Sequence, residues 1–441
     1  MKEPRYIPVS KLLVLDDQKD KDQAALQSLA KEIKLQGLGD GMDAMEVFTR
    51  LGRVRKIRDK DLVTITIDHE LEDVVEIFSR LNRRGTRVTE ADIYLGVVAA
   101  RAPGWVRTTF LPYLGTLGDA GFRVNPNLLF RTVTAVGVKK VRFKEIADDF
   151  WNQTSILPHW QRTTRSWENM VAKFCEYGIL SNDPMPTEAA LVTMIALADK
   201  FPGENFDPAV YWFLQASRFQ RYSGSSATSL EEDLRDVQEG DSLVGAVKRL
   251  VRRFPVTTPL EADDFLRDYG DARFGRFLLY LLVYRNRAVD WDEKGNRISF
   301  EGVDLLADFR PQWHHIFPKK FLEGNYNGDR IDALANIAVI GPTINIRISA
   351  KDPMDYIQRY RVAPDKLAQQ FIEEDIAQLT VENYETWLHT RAERLARPAT
   401  AFWQRWGGMF SREQNPSAQS AVARFRNNAL TACEKVRHWS R

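Results

Sequence analysis

The chain has 441 residues and a mass of 50.7 kDa, and 44% of its side chains are hydrophobic while 28% are charged. This size and composition predict a folded protein of two to three domains and exclude a disordered chain, a collagen and a miniprotein. The net charge of +2 does not by itself favour a nucleic-acid partner, and two distant cysteines, Cys175 and Cys433, exclude a disulfide framework and a thiolate-only zinc site.

The first hundred residues have the pattern of a mixed α/β segment. They begin with no apolar leader like that of a secretory signal, so we expect a cytoplasmic protein. Residues 62–67 alternate apolar and polar side chains, which predicts a half-buried strand. Apolar residues at helical spacing follow over 74–81, and a capping-box pattern at Thr89 predicts a second helix. Residues 62–102 are therefore expected to form a strand, a helix, a turn and a helix.

From about residue 105 to residue 300, amphipathic patterns separated by Pro, Gly, Asn and Asp predict a helical domain. The predicted helices lie near 125–136, 161–178, 187–201, 206–217, 229–254 and 259–284. The small polar segment 221–226 between two of them is most simply a helix connection. The most apolar run, Phe277 to Tyr284, is far shorter than the roughly 20 residues that cross a bilayer, so we expect no membrane partner.

The sequence changes character after residue 309. Residues 312–317 predict a short strand that Pro318 ends, and residues 336–340 predict a second strand. Gly341 and Pro342 then turn the chain into a helix that carries Asn345. Helices are predicted again over about 361–406, and the tail from Ser411 onward is expected to be poorly packed.

Two adjacent histidines, among only six in the chain, lie in the first of these strands. Hydrolysis of a phosphodiester needs a base that deprotonates water, a cation that neutralises charge on the phosphate, and a group that holds the base in its correct tautomer. We predict that His315 is the base, that His314 and Asn345 bind the metal, and that Asn336 positions the loop or the imidazole. Because consecutive strand residues point to opposite faces, the two histidines share one site only if the backbone turns there; otherwise one is a surface group.

These residues resemble the motif of the HNH, or ββα-metal, nucleases. In that family a metal-binding Asp, Glu or His directly precedes the base histidine, a central Asn follows, and an Asn or His ligand comes last. The step from Asn336 to Asn345 is nine residues and fits the family. The resemblance implies a divalent metal, with Mg²⁺ or Mn²⁺ favoured. Softer ions stay open because His314 occupies a position that often holds a carboxylate.

Cations close to this motif are candidates for contacts with phosphate. They are Lys319, Lys320, Arg347 and Lys351. Basic clusters also occur at 50–60, at 248–253 and in the tail from Arg424, and tracking of a nucleic-acid backbone requires such patches. Basic runs are more often solvated faces, so it is their occurrence together with the histidine motif that favours DNA as the partner.

Residues 77–89 read Ile-Phe-Ser-Arg-Leu-Asn-Arg-Arg-Gly-Thr-Arg-Val-Thr and resemble the Phe-x-Arg-Leu-Asn-x-x-Gly signature of the GmrSD-type family. Arg80, Asn82 and Gly85 fill its positions, although a helix end followed by a glycine turn would also account for them. Residues 221–224 resemble a segment in the helical middle of that family. Members have a ParB/sulfiredoxin-like N-terminal domain and commonly a C-terminal HNH module. The best-known ones are modification-dependent (type IV) restriction systems that use nucleotides and cleave modified phage DNA.

One element of that family is missing. The Asp-Gly-Gln-Gln-Arg motif, which is linked to nucleotide binding and hydrolysis, has no counterpart, since the nearest segment, residues 15–19, lacks the glycine and the arginine. The family uses a nucleoside triphosphate as a cofactor, but this chain lacks the motif that is linked to its binding. We expect the chain to begin inside the N-terminal domain, through a truncated gene, a misplaced start or a split system. In a split system, a separate N-terminal subunit would complete it. A homo-oligomer would serve another purpose, cleavage of both strands, because a single HNH site cuts one strand at a time.

The resemblance implies an α+β, predominantly α-helical chain whose ββα-metal HNH module is flanked by helices. The expected parts are a partial N-terminal domain over 1–102, a helical domain over 103–300, the HNH domain with C-terminal helices over 301–408, and a flexible basic tail over 409–441. The implied function is a metal-dependent DNA endonuclease of modification-dependent restriction or phage defence. Two alternatives stay open: a catalytically impaired or regulatory DNA-binding remnant, and an RNA-directed HNH nuclease.

Overall fold

The computed structural model describes residues 12–14, 20–35, 43–61, 90–254, 259–300, 310–373 and 379–411. The chain forms two compact units, Met1–Phe78 and Ser79–Arg441. The described residues are mostly helical and contain one two-stranded antiparallel sheet, which confirms the expected helix-dominated α+β class. The predicted strand 62–67, the helix 74–81, the signature at 77–89 and the tail beyond residue 411 lie outside the described residues.

The described part of the first unit is a pair of helices. They are α1, Asp20–Leu35, and α2, Ala44–Arg55, which a 3₁₀ turn follows. Asp43 caps α2 because its carboxylate accepts a hydrogen bond from the first-turn backbone at 2.7 Å. The two helices pack on each other and bury Leu26, Ala30 and Val47.

The second unit begins with a run of helices. They are α3, Glu90–Arg101; α4, Leu111–Asp119; α5, Pro126–Val138; α6, Gln153–Glu176; α7, Ala190–Lys200; α8, Asp207–Arg218; α9, Ser226–Glu239; α10, Leu243–Val251; α11, Ala262–Phe265; and α12, Arg273–Arg285. The helix predicted from Thr89 is thus present as α3. Asn125 caps α5 with its side chain, and Pro126 occupies the first helical position, where a proline costs no hydrogen bond.

The predicted helix 229–254 is two helices, α9 and α10. The chain turns between them at Gly240, where an added Cβ atom would lie 2.6 Å from the Cβ atom of Ala246. Ser242 then caps α10 by accepting a hydrogen bond from the backbone of Gly245 at 3.1 Å. The two helices pack on each other, and each buries its apolar face against a neighbouring helix, α9 against α7 and α10 against α8.

The apolar run Phe277–Tyr284 lies within α12 and is buried on every side, since none of its side chains is more than 8% exposed. A helix that is apolar all round is a core helix in a large domain, and its flanking Arg276 and Arg285 mark where it reaches the surface. Within the described ranges, no helix combines the length and the apolar character needed to cross a bilayer.

The loop 221–226 is tied to α9 by a buried network. Tyr222 donates a hydrogen bond to Asp233 at 2.7 Å, and Arg221 donates to the other carboxylate oxygen of Asp233 at 3.0 Å and to Glu232 at 2.6 Å. Burial raises the pKa of Asp233, an effect that these hydrogen bonds oppose. The Arg-Tyr pair of this segment therefore joins the loop to the helix that follows it.

The C-terminal part of the second unit surrounds the small sheet. Its elements are β1, Gln312–His315; α13, Lys319–Leu322; α14, Gly328–Ile331; β2, Ile337–Ile340; α15, Pro342–Ile348; α16, Pro353–Arg359; α17, Pro364–Gln369; and α18, Tyr384–Ser411. The strands pair antiparallel, with His314 opposite Ala338 and His315 opposite Ile337. Helix α15 lies against β1, and α18 packs on α11 and α12.

Candidate functional site

Asn336 fastens the loop that joins the two strands. It is fully buried, and its amide nitrogen donates to the backbone oxygens of Phe317 at 3.0 Å and Ile331 at 2.9 Å. Its amide oxygen accepts the backbone N–H of Phe317 at 2.9 Å. An amide is suited to this position because it both donates and accepts hydrogen bonds, which a carboxylate or an alkyl group cannot do. Asn336 thus fixes the backbone just after the two histidines.

His315 lies against a carboxylate that the sequence analysis did not identify. Its Nε2 atom is 2.7 Å from Oδ1 of Asp332, and its ring meets the edge of the Tyr269 ring at a centroid distance of 5.2 Å. Asp332 follows α14 and comes four residues before Asn336. Since it is the loop between the strands that brings Asp332 to the imidazole, no periodicity could have placed it there.

Lys319 shares the same carboxylate, because its Nζ atom is 2.7 Å and 2.8 Å from the two oxygens of Asp332. Partial burial opposes ionisation of Asp332, but the hydrogen bonds from Lys319 and His315 outweigh it and lower the pKa. An ionised carboxylate only accepts hydrogen bonds, so Nε2 of His315 carries the proton and Nδ1 is the basic nitrogen. Burial also lowers the pKa of His315, against an opposing effect of Asp332.

His314 pairs instead with Asn345. Its Nδ1 atom is 2.8 Å from Oδ1 of Asn345, and the amide nitrogen of Asn345 donates to Oε1 of Gln312 at 2.8 Å. Gln312 therefore fixes the orientation of the Asn345 amide, with its oxygen towards the imidazole. His314 is 3% exposed, and its ring meets the rings of Trp291 and Tyr356 edge-to-face. Burial lowers its pKa to about 4, so the imidazole is neutral at pH 7.

The two imidazoles thus have separate partners, as alternation along a strand requires. They remain close enough that a positive charge on His315 would lower the pKa of His314 further. The structure brings together His314 with Asn345, and His315 with Asp332 and Lys319. Both histidines lie in the regular pairing of β1 with no turn of the backbone between them, so they form two separate groups, one on each face of the strand.

The donor set of His314 and Asn345 can be tested against a divalent cation. Two neighbouring ligands of an octahedral ion, each about 2.1 Å from it, lie about 3 Å apart, which is close to the observed separation of 2.8 Å between Nδ1 and Oδ1. Nε2 of His314 is buried and has no hydrogen-bond partner in the described ranges. A cation bound at Nδ1 would move the ring proton to Nε2.

The residues therefore fit a site with two protein ligands, completed by water and phosphate oxygens. In the part of the chain that the structure describes, no cluster of three or more His, Cys, Asp or Glu side chains has the arrangement of a metal site. Mg²⁺ commonly keeps several waters, and an imidazole ligand also suits transition metals.

Asp290 and Gly341 position the helix that carries Asn345. Asp290 is buried, and its Oδ1 atom accepts the backbone N–H groups of Gly341 and Trp291, each at 2.8 Å. Burial raises the pKa of Asp290 although these hydrogen bonds oppose the shift. Gly341 comes directly before α15, and an added Cβ atom would lie 2.2 Å from Oδ2 of Asp290. Only a residue without a side chain fits there.

Gly341→Ala should therefore lower the free energy of unfolding of the second unit by about 1–3 kcal/mol, because the added methyl group forces Asp290 away. All eleven tryptophans follow Phe78, so tryptophan fluorescence during urea unfolding reports on the second unit. Gly328→Ala is the matched control, since nothing lies within 4 Å of a Cβ atom there. Equal midpoints for the two variants would contradict the packing argument.

The remaining predicted residues have varied surroundings. Lys351 donates to the backbone oxygen of Arg347 at 2.6 Å and so caps the end of α15, while the Arg347 side chain is exposed. Arg80, Asn82 and Gly85 lie outside the described residues. The predicted contacts of Lys319, Arg347 and Lys351 with phosphate remain predictions.

The basic clusters are partly neutralised within the chain. Arg249 pairs with Glu239, and Arg253 lies 2.9 Å from Asp236 and 3.5 Å from Glu232. In the first unit, Arg50 pairs with Glu46 one helical turn away at 2.9 Å. These pairs reduce the charge that the clusters can offer to a polyanion.

No protein-family model matches this chain. It is 22% identical over 330 residues to a protein of Methanocaldococcus jannaschii that is described as the uncharacterized protein MJ0686. The alignment covers 71% of this chain and 54% of that protein, so the chain spans about half the length of the curated relative it matches.

Proposed function

We propose that the second unit contains a metal-dependent endonuclease site of the HNH type that hydrolyses DNA phosphodiesters. The observation that carries this proposal is the antiparallel strand pair followed by a helix, which holds His315 against Asp332 and His314 against Asn345. One strand thereby carries a neutral base and, at the position directly before it, a pair of donors suited to a cation.

In this proposal the Nδ1 atom of His315 accepts a proton from water while the water oxygen bonds to phosphorus. The bond from phosphorus to the leaving oxygen breaks, and that oxygen keeps the electron pair and takes a proton from solvent. Asp332 stabilises the imidazolium that forms on His315. Asp332 also keeps the proton on Nε2 and the ring in one orientation, and Lys319 keeps Asp332 ionised. A positioned imidazole base contributes on the order of 10²- to 10⁴-fold to the rate.

His314 and Asn345 are the residues that would hold a divalent cation, with Gln312 fixing the Asn345 amide. A cation bound there supplies charge neutralisation for the phosphate and the leaving oxygen. Asn336, although it is central in the HNH motif, acts in this scheme by holding the loop backbone.

The resemblance to the GmrSD-type family supports the finer part of the proposal: a modification-dependent restriction or phage-defence enzyme of the cytoplasm whose substrate is base-modified phage DNA. A single site of this type cuts one strand, so cleavage of both strands would require a homo-oligomer, a second subunit or two separate events.

The test uses the purified full chain with Mg²⁺ or Mn²⁺, with and without a nucleoside triphosphate. The substrates are plasmid DNA, hydroxymethylated or glucosylated phage DNA, and RNA. We expect strand cleavage of DNA that EDTA abolishes. If no DNA is cut under any condition, the enzyme proposal fails, and tight DNA binding without cleavage would instead indicate a regulatory remnant. Preferential cleavage of RNA would redirect the proposal to an RNA nuclease.

Asn345→Ala should raise the concentration of Mn²⁺ that gives half-maximal cleavage by at least about tenfold, since even partners of metal ligands contribute 10- to 100-fold to metal affinity. Calorimetric titration with Mn²⁺ should show the same weakening without any substrate. Thr343→Ala, an exposed change on the same helix, is the control. An unchanged Mn²⁺ requirement in Asn345→Ala would remove Asn345 from the site.

A further inference from the structure

A cavity of about 410 Å³ adjoins the N-terminal end of β1. Among the residues that the structure describes, those that line it are Asp183, Pro184, Phe300, Arg310, Pro311, Gln312 and Trp313. Ligand pockets in proteins range from roughly 300 to 1,000 Å³, so this cavity has room for one nucleotide-sized group.

Two aromatic rings form part of the wall. The centroids of Phe300 and Trp313 are 6.5 Å apart, with the ring planes inclined at 36°. Phe300 is buried and held in place by Tyr280, whose ring meets it edge-on at 4.7 Å and whose hydroxyl accepts the backbone N–H of Phe300 at 3.3 Å. Trp313 is only half-buried. A flat ring entering the cavity would therefore meet one fixed and one accessible aromatic side chain.

The polar groups of the cavity suit the edge and the phosphate of a nucleotide. Arg310 and Asp183 form an ion pair at 3.0 Å with side-chain exposures of 60% and 43%, and exposed pairs of this kind contribute little to stability. Arg310 can therefore turn to a phosphate oxygen at small cost. Asp183 and the amide of Gln312 then offer acceptors and donors for the edge of a base.

The cavity is joined directly to the candidate metal site. Gln312 lines the cavity and also accepts the hydrogen bond that orients Asn345. Trp313 directly precedes His314, on the opposite face of the strand, and lines the cavity at the N-terminal end of β1. Gln312 and His314 are two residues apart along β1, roughly 6.6 Å, which is the scale of one nucleotide. A strand with its phosphate at His314 and Asn345 would thus have a neighbouring base within reach of the cavity.

We propose that this cavity binds a nucleobase of the substrate strand, unstacked from its neighbours and packed against Trp313, next to the phosphate that is cut. This proposal rests on the proposed nuclease function, but the experiment that tests it measures only the binding of single-stranded DNA. Stacking on an aromatic side chain is the usual way in which proteins hold a single-stranded base.

The experiment compares two fluorescent single-stranded probes of equal length in EDTA, oligothymidylate and a fully abasic deoxyribose-phosphate chain, by anisotropy with the full-length protein. We expect oligothymidylate to bind about tenfold more tightly, as one base–aromatic stack predicts. Trp313→Leu should abolish this preference, whereas Trp313→Phe should retain most of it. Leu111→Ala, an exposed apolar change on α4, should leave it intact.

Pro184→Met provides a second variant that fills the cavity from another segment and leaves β1 untouched, in case Trp313→Leu does not fold. It too should abolish the preference. Equal binding of both probes to the wild-type chain, or a preference that survives both Trp313→Leu and Pro184→Met, would overturn the proposal. If the protein cleaves DNA but binds both probes equally, the cavity proposal is wrong and the nuclease proposal stands. If it prefers oligothymidylate but cleaves no DNA, the nuclease proposal is wrong and the cavity proposal stands.

Discussion

His315→Ala should lower the rate of DNA cleavage by about 10²- to 10⁴-fold at saturating Mn²⁺, because the variant lacks the base that deprotonates water. The binding of DNA and of Mn²⁺ should change little, since His314, Asn345 and the basic side chains are retained. Single-turnover nicking of supercoiled plasmid measures the chemical step directly. Asp332→Asn should lower the same rate constant with unchanged DNA affinity, because an amide no longer holds the proton on Nε2.

The matched control is His389→Ala. His389 belongs to the same unit, its side chain is 46% exposed, and it pairs with Glu385 on the surface of α18. Its loss should leave the nicking rate within a factor of two or so of the wild-type value, since surface changes away from a site have small effects. Cleavage by His315→Ala at the control's rate would mean that another group is the base or that the activity belongs to a contaminant.

The small sheet and its helix could be predicted because their signals are local. Pro318 follows the first strand, which ends at His315 rather than at the predicted residue 317. The Gly341–Pro342 step starts α15, and a β-branched apolar run marks β2. These signals also place His314 near Asn345, since a strand and the helix after its partner strand are neighbours.

The partners of the site depend instead on long-range folding. Asp332 reaches His315 only because Asn336 folds the loop between the strands back on itself. The loop contains other acidic residues, so a single sequence does not show which carboxylate contacts His315. Gln312 lies at the start of the predicted strand, but nothing in the sequence indicates its hydrogen bond with Asn345. That bond depends on how α15 packs against β1.

The sequence does indicate that Arg391 is buried. It lies on the face of α18 that also carries Trp387, Leu388 and Leu395, where an apolar side chain is expected. A cation on a buried face must have hydrogen-bond acceptors, and periodicity alone does not identify them.

Arg391→Met should lower the free energy of unfolding of the second unit by at least about 3 kcal/mol, because it leaves several buried carbonyl groups without a donor. Arg391 is fully buried, and its guanidinium donates to the backbone oxygens of Ile337 at 2.8 Å, Gln370 at 3.0 Å and Ala335. Methionine keeps most of the volume and removes every donor, so the effect isolates the hydrogen bonds. Urea unfolding followed by tryptophan fluorescence measures it.

Arg397→Met on the exposed face of the same helix is the control and should change stability by no more than about 0.5 kcal/mol. A similar small effect at Arg391 would show that water or relaxation satisfies the carbonyl groups.

Arg391→Met should also lower the rate of DNA cleavage. Ala335 and Ile337 flank Asn336, so the hydrogen bonds of Arg391 to their backbone oxygens fix the backbone on both sides of Asn336. Asn336 in turn holds the loop that carries Asp332 to His315. Where Arg391→Met still folds at low temperature, its cleavage rate should therefore fall more than its Mn²⁺ affinity. Asn345 is oriented by Gln312, and Asp290 binds the backbone of Gly341 at the start of its helix, so neither hydrogen bond involves Arg391.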